Sequence, residues 1–215
     1  NRSRVPALGR NRCVEDIYEP GSTFKPFVWS TITELHGFRP TDMLDTGNGY
    51  WRTPYGRLIH DVHRHAQLTW RNVLVESSNI GMSQGVERIS HDQLYAAIRR
   101  LGFGAKTGVG LPGETNGMVT PRKSWRKFTQ TSVSFGQEIA VTPVQMVRAF
   151  SVFARSGELA GTLPPVRLAA AEGSEADSLV IHRVLGTDVV MQVREILREV
   201  AAQMESKMAT NKDHP

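Results

Sequence analysis

Apolar residues in this chain recur at helical spacing in separate runs, divided by stretches of glycine, proline and polar residues. A helix is predicted from about Ser22 to Leu35, with Gly37 in the place of a C-terminal stop. Thr69 reads as the N-cap of a short helix carrying Trp70, Val73 and Leu74; "SSNIGM" interrupts it, and a second short helix leads to about Ile89. Ser90 caps the next, where Leu94, Ala97, Ile98 and Leu101 share one face and Gly102 stops it. Thr142-Pro143 opens another, proline at the first helical position costing no hydrogen bond. Its stripe is Val144, Val147, Phe150 and Phe153. The last helix starts near Thr187 and repeats Val189, Val193, Ile196, Val200 and Met204.

Strand patterning is sparse, with short candidates at 13–18 and 179–184, too little for a self-sufficient sheet. Residues 37–66, 102–135 and 157–178 are loop-rich. Two architectures fit: an all-helical domain, or a mixed one whose partner strands lie outside the chain. One core is expected over residues 1–200, with 201–215 as a frayed tail.

Composition narrows the function more than the fold. Apolar content of 40% and charged content of 22% are those of an ordinary globular protein. The net charge of +5 is spread in short pairs without a polybasic run, which argues against nucleic acid as a partner. Cys13 is the one cysteine, which excludes an internal disulfide and a thiolate metal cluster. No apolar run approaches the ~20 residues that span a bilayer. A chain opening on Asn1 reads as an excised piece, so a targeting segment ahead of it stays open.

The most informative stretch is "EPGSTFKPF", Glu19 to Phe27. Ser22 after Pro-Gly reads first as an N-cap. A capping box wants Glu or Gln three residues on; this chain has Lys25, whose charge opposes the positive helix end at a cost of about 0.3–1 kcal/mol. Pro26 adds a second local conflict, since it cannot donate an early helical hydrogen bond. Local conflicts of this kind mark function. At i and i+3 the lysine reaches the serine's face of the helix. A partly buried lysine beside a helix N-terminus has its charged form disfavoured, so it can take the proton of a serine hydroxyl, while backbone N–H groups of the same helix end face a developing oxyanion. The chemistry indicated is acyl transfer through a serine ester. S-x-x-K alone is a weak signal.

"SSN" at Ser77–Asn79 strengthens it. The plain reading is a helix break in which Ser77 or Ser78 caps the next helix. With S-x-x-K upstream, it supplies a second hydroxyl able to relay a proton to a leaving group, and an amide able to hold a peptide carbonyl or orient the lysine.

Together, "EPGSTFKPF" and "SSNIGM" resemble the first two active-site motifs of penicillin-binding proteins, the serine D,D-transpeptidases that cross-link peptidoglycan. "NRCVEDIYEPGSTFKPF", "LTWRNVLVESSNIGM", "LGFGAKTGVGLPGE" and "SVSFGQEIAVTPVQMVRAFSVFARSGEL" extend the likeness over roughly residues 11–200, toward class B, division-type members. The resemblance implies an α+β fold of the penicillin-binding/β-lactamase type, present here mostly as its helical part with the central antiparallel sheet incomplete. It implies Ser22 as acylated nucleophile, Lys25 as proton partner, Ser77 as relay and Asn79 as contact to substrate amide and lysine. It also implies peptidoglycan stem peptides and β-lactams as ligands, cell-division or elongation proteins as partners, no cofactor, and a place on the periplasmic side of the inner membrane with the anchor outside this chain.

The family's third motif, K-T-G, lies on a strand. "KTG" at Lys106–Gly108 follows a helix stop and runs into "VGLPGE", which is turn chemistry, so it is rejected as that motif. The true third motif is expected after the final helix, where this chain reads "AAQMESKMATNKDHP". Because loss of one oxyanion donor costs about 10²–10³ in rate, the chain by itself is expected to be acylated by β-lactams slowly or not at all.

Other candidates read as structural. His60, Asp61, His63 and His65 in "HDVHRH" do not have zinc-motif spacing and read as a polar loop. The glycines of 110–117 read as turns without a phosphate loop, and Met146 as core. Tyr50, Trp51 and Tyr55 read as packing a loop in preference to lining a groove. "SFGQE", Ser134–Glu138, matches the family without a chemical role. Two alternative functions remain at this level: a serine β-lactamase or β-lactam sensor, against which stands the lack of an E-x-x-L-N, and a truncated non-catalytic binding module.

Overall fold

A computed structural model describes residues 10–166 and 182–211. Eight α-helices occur among them: α1 Arg12–Glu15, α2 Lys25–Glu34, α3 Trp70–Val75, α4 Asn79–Val86, α5 His91–Arg100, α6 Thr129–Ser134, α7 Pro143–Ala154 and α8 Thr187–Asn211. The strands are short: β1 Met43–Asp45, β2 Tyr50–Arg52, β3 Leu58–His60, β4 Gln67–Thr69, β5 Met118–Val119, β6 Ile139–Ala140, β7 Thr162–Leu163 and β8 His182–Arg183. They pair as four antiparallel ribbons, β1 with β4, β2 with β3, β5 with β6 and β7 with β8. Among the described residues no sheet exceeds two strands, as the sparse patterning predicts.

Helix α2 is the axis of the core. Every residue from Lys25 to Thr33 is buried, the mark of a helix surrounded on all sides. It packs against α4, α5 and α8. At one end Phe24, Phe27, Phe103, Phe150 and Phe153 form an aromatic cluster with ring centroids 4.8–6.2 Å apart. Toward the other end Trp29 and Trp70 stack at 5.6 Å; the Trp29 indole N–H donates to the Trp70 carbonyl at 2.8 Å and that of Trp70 to Thr33 Oγ1 at 2.8 Å. Gly85 lets α4 close on this pair, since a Cβ there would lie 2.5 Å from the Trp70 ring.

Capping accounts for the helix starts. Thr69 accepts from Asn72 N, while Ser90 with Gln93 and Thr142 with Gln145 form capping boxes. Three expectations are corrected. Residues 13–18 are not a strand: Asn11 caps the turn of α1 by accepting from Cys13 N, and only Tyr18 makes a bridge, to Val141. Residues 37–66 hold three short strands between their turns. The buried stripe of α7 is Gln145, Met146, Ala149, Val152 and Phe153, leaving Val147 71% exposed, because Gln145 turns inward to donate to the Ala105 and Asn116 carbonyls. The 179–184 strand is represented by β8; residues 179–181 lie outside the described residues. Helix α8 continues to Asn211, past position 200, but residues 201–209 are exposed apart from Gln203. Among the described residues no helix is long and apolar enough to cross a membrane.

Candidate active site

Ser22 lies inside a 3₁₀ turn, Gly21–Phe24, that feeds directly into α2. Gly21, at φ 56°, takes a left-handed conformation that costs glycine little. Ser22 therefore does not cap a helix; the residue ahead of the turn is Pro20, which makes no side-chain cap. Because α2 begins at Lys25, Pro26 falls in its first turn, where its missing N–H costs nothing; the conflict expected at Pro26 is absent. The conflict at Lys25 is real: the side chain is 1% exposed in the core.

The partners of Lys25 come from the break between α3 and α4. Ser77 stands at φ 53°, a left-handed conformation unfavourable for serine by roughly 1–2 kcal/mol. In it, both the carbonyl and the hydroxyl of Ser77 accept from Lys25 Nζ, the hydroxyl at 3.0 Å. The neighbouring serine does the capping: Ser78 Oγ accepts from Gly81 N at 2.8 Å. Ser78 also donates to Asp61 Oδ2 at 2.6 Å, and Ile80 N donates to Asp61 Oδ1 at 3.0 Å. Asp61, read from sequence as loop, thus holds the start of α4. Asn79 opens α4, and its amide donates to the His60 carbonyl at 3.1 Å; its hydrogen bond goes to the β3 end and not to Lys25.

Burial sets the chemistry of Lys25. Desolvation lowers its pKa from 10.5 to about 8, against a smaller upward pull from the Asp61 carboxylate. Roughly a tenth of the amine is then neutral at pH 7. A folded pKa below the unfolded one makes the charged lysine a liability. The unfolded chain binds more protons between about pH 8 and 10.5, so stability rises with pH through that window, by on the order of 3 kcal/mol in all.

Ser22, Ser77 and Asn79 line one cleft of about 300 Å³. Its other wall is the free half of α8, through Val200, Gln203, Met204 and Lys207, and His63 stands at the same cleft. The structure thus brings three of the four predicted residues onto one cavity and ties the fourth, Lys25, to Ser77.

"SFGQE" has a structural task. Gly21 N donates to the Gly136 carbonyl at 3.0 Å, and Glu138 N donates to Glu19 Oε1 at 2.9 Å. Gly136 is at φ 78°, and a Cβ there would sit 2.1 Å from the Gly21 carbonyl oxygen. The segment clamps the turn ahead of Ser22, and only glycine allows that approach. No local pattern in the sequence announces this contact, which spans more than a hundred residues.

Lys106–Gly108 stands apart from the cleft lining. Thr107 N–H and hydroxyl both donate to Glu114 Oε1, at 2.5 and 2.6 Å, closing a loop. Among the described residues no group of three or more His, Cys, Asp or Glu side chains is placed to hold a metal ion. Tyr50 is 46% exposed under the Arg64 guanidinium, and Tyr55 lines a surface groove, so neither simply packs a loop onto the core.

Comparison with known proteins follows the same line. The chain is 39% identical over 157 residues, 73% of its length and 28% of the relative's, to a probable peptidoglycan D,D-transpeptidase, PbpC, of Pseudomonas aeruginosa. It is 34% identical over 151 residues, 69% of its length and 25% of the relative's, to the peptidoglycan D,D-transpeptidase FtsI of Escherichia coli K12. It therefore spans about a quarter of the length of these curated relatives. The apo structure of the TP domain of Burkholderia pseudomallei penicillin-binding protein 3 superposes with a TM-score of 0.80 at 31% identity, covering 89% of this chain and 56% of that one. That likeness settles the α+β class over the all-helical alternative. Residues 3–214 match the penicillin binding protein transpeptidase domain, and the chain belongs to that family.

Proposed function

We propose that this chain carries the acylation centre of a serine D,D-transpeptidase that cross-links peptidoglycan stem peptides and is acylated by β-lactams. The observation that carries the reading is the buried Lys25 amine, its pKa brought to about 8, hydrogen-bonded to Ser77, which lines one cleft with Ser22. In its neutral form Lys25 takes the Ser22 proton as the oxygen attacks the carbonyl carbon of a stem-peptide amide. Ser77, already hydrogen-bonded to Lys25, passes a proton to the departing amine. Asn79, at the cleft, contacts the peptide amide. The Ser22 ester is then taken by the amine of a second peptide. The setting that fits is the cell envelope, outside the inner membrane, with an anchor beyond this chain and division or elongation proteins as partners; no cofactor is needed for these steps.

The test is mass spectrometry of the chain after long incubation with a labelled penicillin. The expected result is a slow adduct confined to the Ser22 peptide and abolished in Ser22→Ala. An adduct on another residue, or one that persists in Ser22→Ala, overturns the reading. Rapid turnover of a chromogenic cephalosporin would instead favour a hydrolase.

A further inference from the structure

The free half of α8 carries a line of residues that the Ser22 cleft does not use. Seven residues make close to two helical turns, so Ala201 and Met208 share one line of its surface, and Arg198 and Glu205 share the line beside it. Met208 is 63% exposed, and Arg198, Ala201 and Glu205 are exposed with it. Toward the packed half of the helix the same two lines enter a groove of about 560 Å³ between α7 and α8, lined by Phe150, Phe153, Leu197, Arg198 and Ala201. Arg194, also at the groove, is committed elsewhere: its Nε and Nη2 donate to the Phe153 carbonyl at 2.9 and 2.7 Å, closing the end of α7.

Two charges on this surface lack a counter-ion. Among the described residues neither Arg198 nor Glu205 enters an ion pair. The positions three and four away from Glu205 are Ala201, Ala202, Met208 and Ala209, so no cation is in reach along the helix. Arg198 and Glu205 stand two turns apart, about 10 Å along the axis, too far to pair with each other. An apolar ridge with a carboxylate and an apolar groove with a guanidinium thus lie at opposite ends of one helix surface. That is the condition for an isologous contact, in which each copy supplies what the other lacks.

We propose that the occupant of this groove is the free half of α8 from a second copy of the chain, in an antiparallel two-fold dimer. Arg198 of each copy then faces Glu205 of the other, and the symmetry makes the pair twice. The same register brings Ala201 and Ala202 to the crossing point, where small side chains let the two backbones approach. It sets Met208 level with Glu195 of the other copy, at the groove floored by Phe150 and Leu197, and a thioether packs well against an aromatic ring. A parallel crossing would put Arg198 against Arg198 and Glu205 against Glu205, which repel. A separate acidic peptide would satisfy Arg198 and leave Glu205 and Met208 unused. The contact uses none of the chemistry at Ser22 and stands independently of it.

The test is sedimentation equilibrium of the chain over about 1–500 µM, a range suited to an interface smaller than the standard size. The expected result is a mass that rises from one copy to two and stops there, with weaker association at high salt. Arg198→Glu and Glu205→Arg are each expected to weaken association about 10-fold, since each breaks two pairs and sets like charges together. The double variant, Arg198→Glu with Glu205→Arg, restores the pairing with its signs exchanged and is expected to recover the dimer. Met208→Gln keeps the length of the side chain, loses its apolar character and is expected to weaken association about 3–10-fold. All three positions are exposed, so helix content and melting at low concentration stay as in wild type. A double variant that fails to recover, or a Met208→Gln chain that associates as wild type does, overturns the proposal. So does a chain that is monomeric throughout, which gives the groove to another segment of the same copy or to a different protein.

Discussion

The two walls of the Ser22 cleft are made differently. One is made by Ser22, Ser77 and Asn79 and is backed by α2, where nine consecutive residues are buried; the other is the last turns of α8, where almost every residue is exposed. The first is held by packing on all sides and by a backbone clamp from Gly136. The second is held by helix propagation from a packed first half, tied to α3 through Arg71–Glu199 at 2.6 Å. The contrast shows where the reactivity is made. A lysine pKa can be lowered only by a wall that excludes water, so the chemistry belongs to α2 and the 77–79 break. The α8 wall contributes shape.

If that division is right, changes to the buried wall have large effects and changes to the free wall small ones. Lys25→Met is the most severe for function: adduct formation at Ser22 falls by about 10²–10⁴, the usual worth of a positioned base. The same variant is expected to be more stable than wild type below pH 8 by about 1–3 kcal/mol, and its stability loses the rise between pH 8 and 10.5. Denaturant melts at pH 7 and 10 check both; a less stable Lys25→Met at pH 7 breaks the comparison. Gly136→Ala comes next, a Cβ driven against the Gly21 carbonyl at positive φ costing about 3 kcal/mol, read from the urea midpoint.

Asp61→Asn sharpens the electrostatic half of the comparison. Asp61 raises the Lys25 pKa, so its neutralisation moves the midpoint of the pH–acylation profile below 8, in the direction of more neutral amine at pH 7. It also weakens the α4 start by about 1 kcal/mol. A midpoint that rises would place Lys25 in a different field from the one seen. On the opposite wall, Met204→Ala is expected to change stability by less than about 0.5 kcal/mol, as surface substitutions do. A cost several times larger would show that the free half of α8 is held by contacts stronger than its exposure suggests.

Much of the helical fold was legible because its signals are local. Ser90 and Gln93, Thr142 and Gln145, and Thr69 are capping chemistry written within four residues, and all three helix starts appear where they predict. The stripe of α7 was misread because periodicity reports apolar residues and not which side the neighbours approach. Val147 is exposed while the polar Gln145 is buried, its amide donating to the Ala105 and Asn116 carbonyls at 2.8 and 2.9 Å. The strand expected at 13–18 failed for a similar reason, since Asn11 offers a cap that outweighs a few β-prone residues.

At the candidate site, Ser22 and Lys25 stood out because a cation in the first turn of a helix is a local conflict visible without coordinates, while Ser77 and Asn79 were named through their S-x-N spacing and the family resemblance. It also determined that "KTG" at 106–108 is turn and not strand, from the glycines around it. What tertiary structure decided is everything that depends on contacts far apart in the chain: the burial that brings Lys25 to about 8, the left-handed Ser77 that turns carbonyl and hydroxyl onto one amine, Asp61 on the start of α4, and Gly136 against Gly21. Residue types and spacing specify which groups a chain owns. Solvent exclusion, which gives those groups their reactivity, is a property of packing and exists only once the chain is folded.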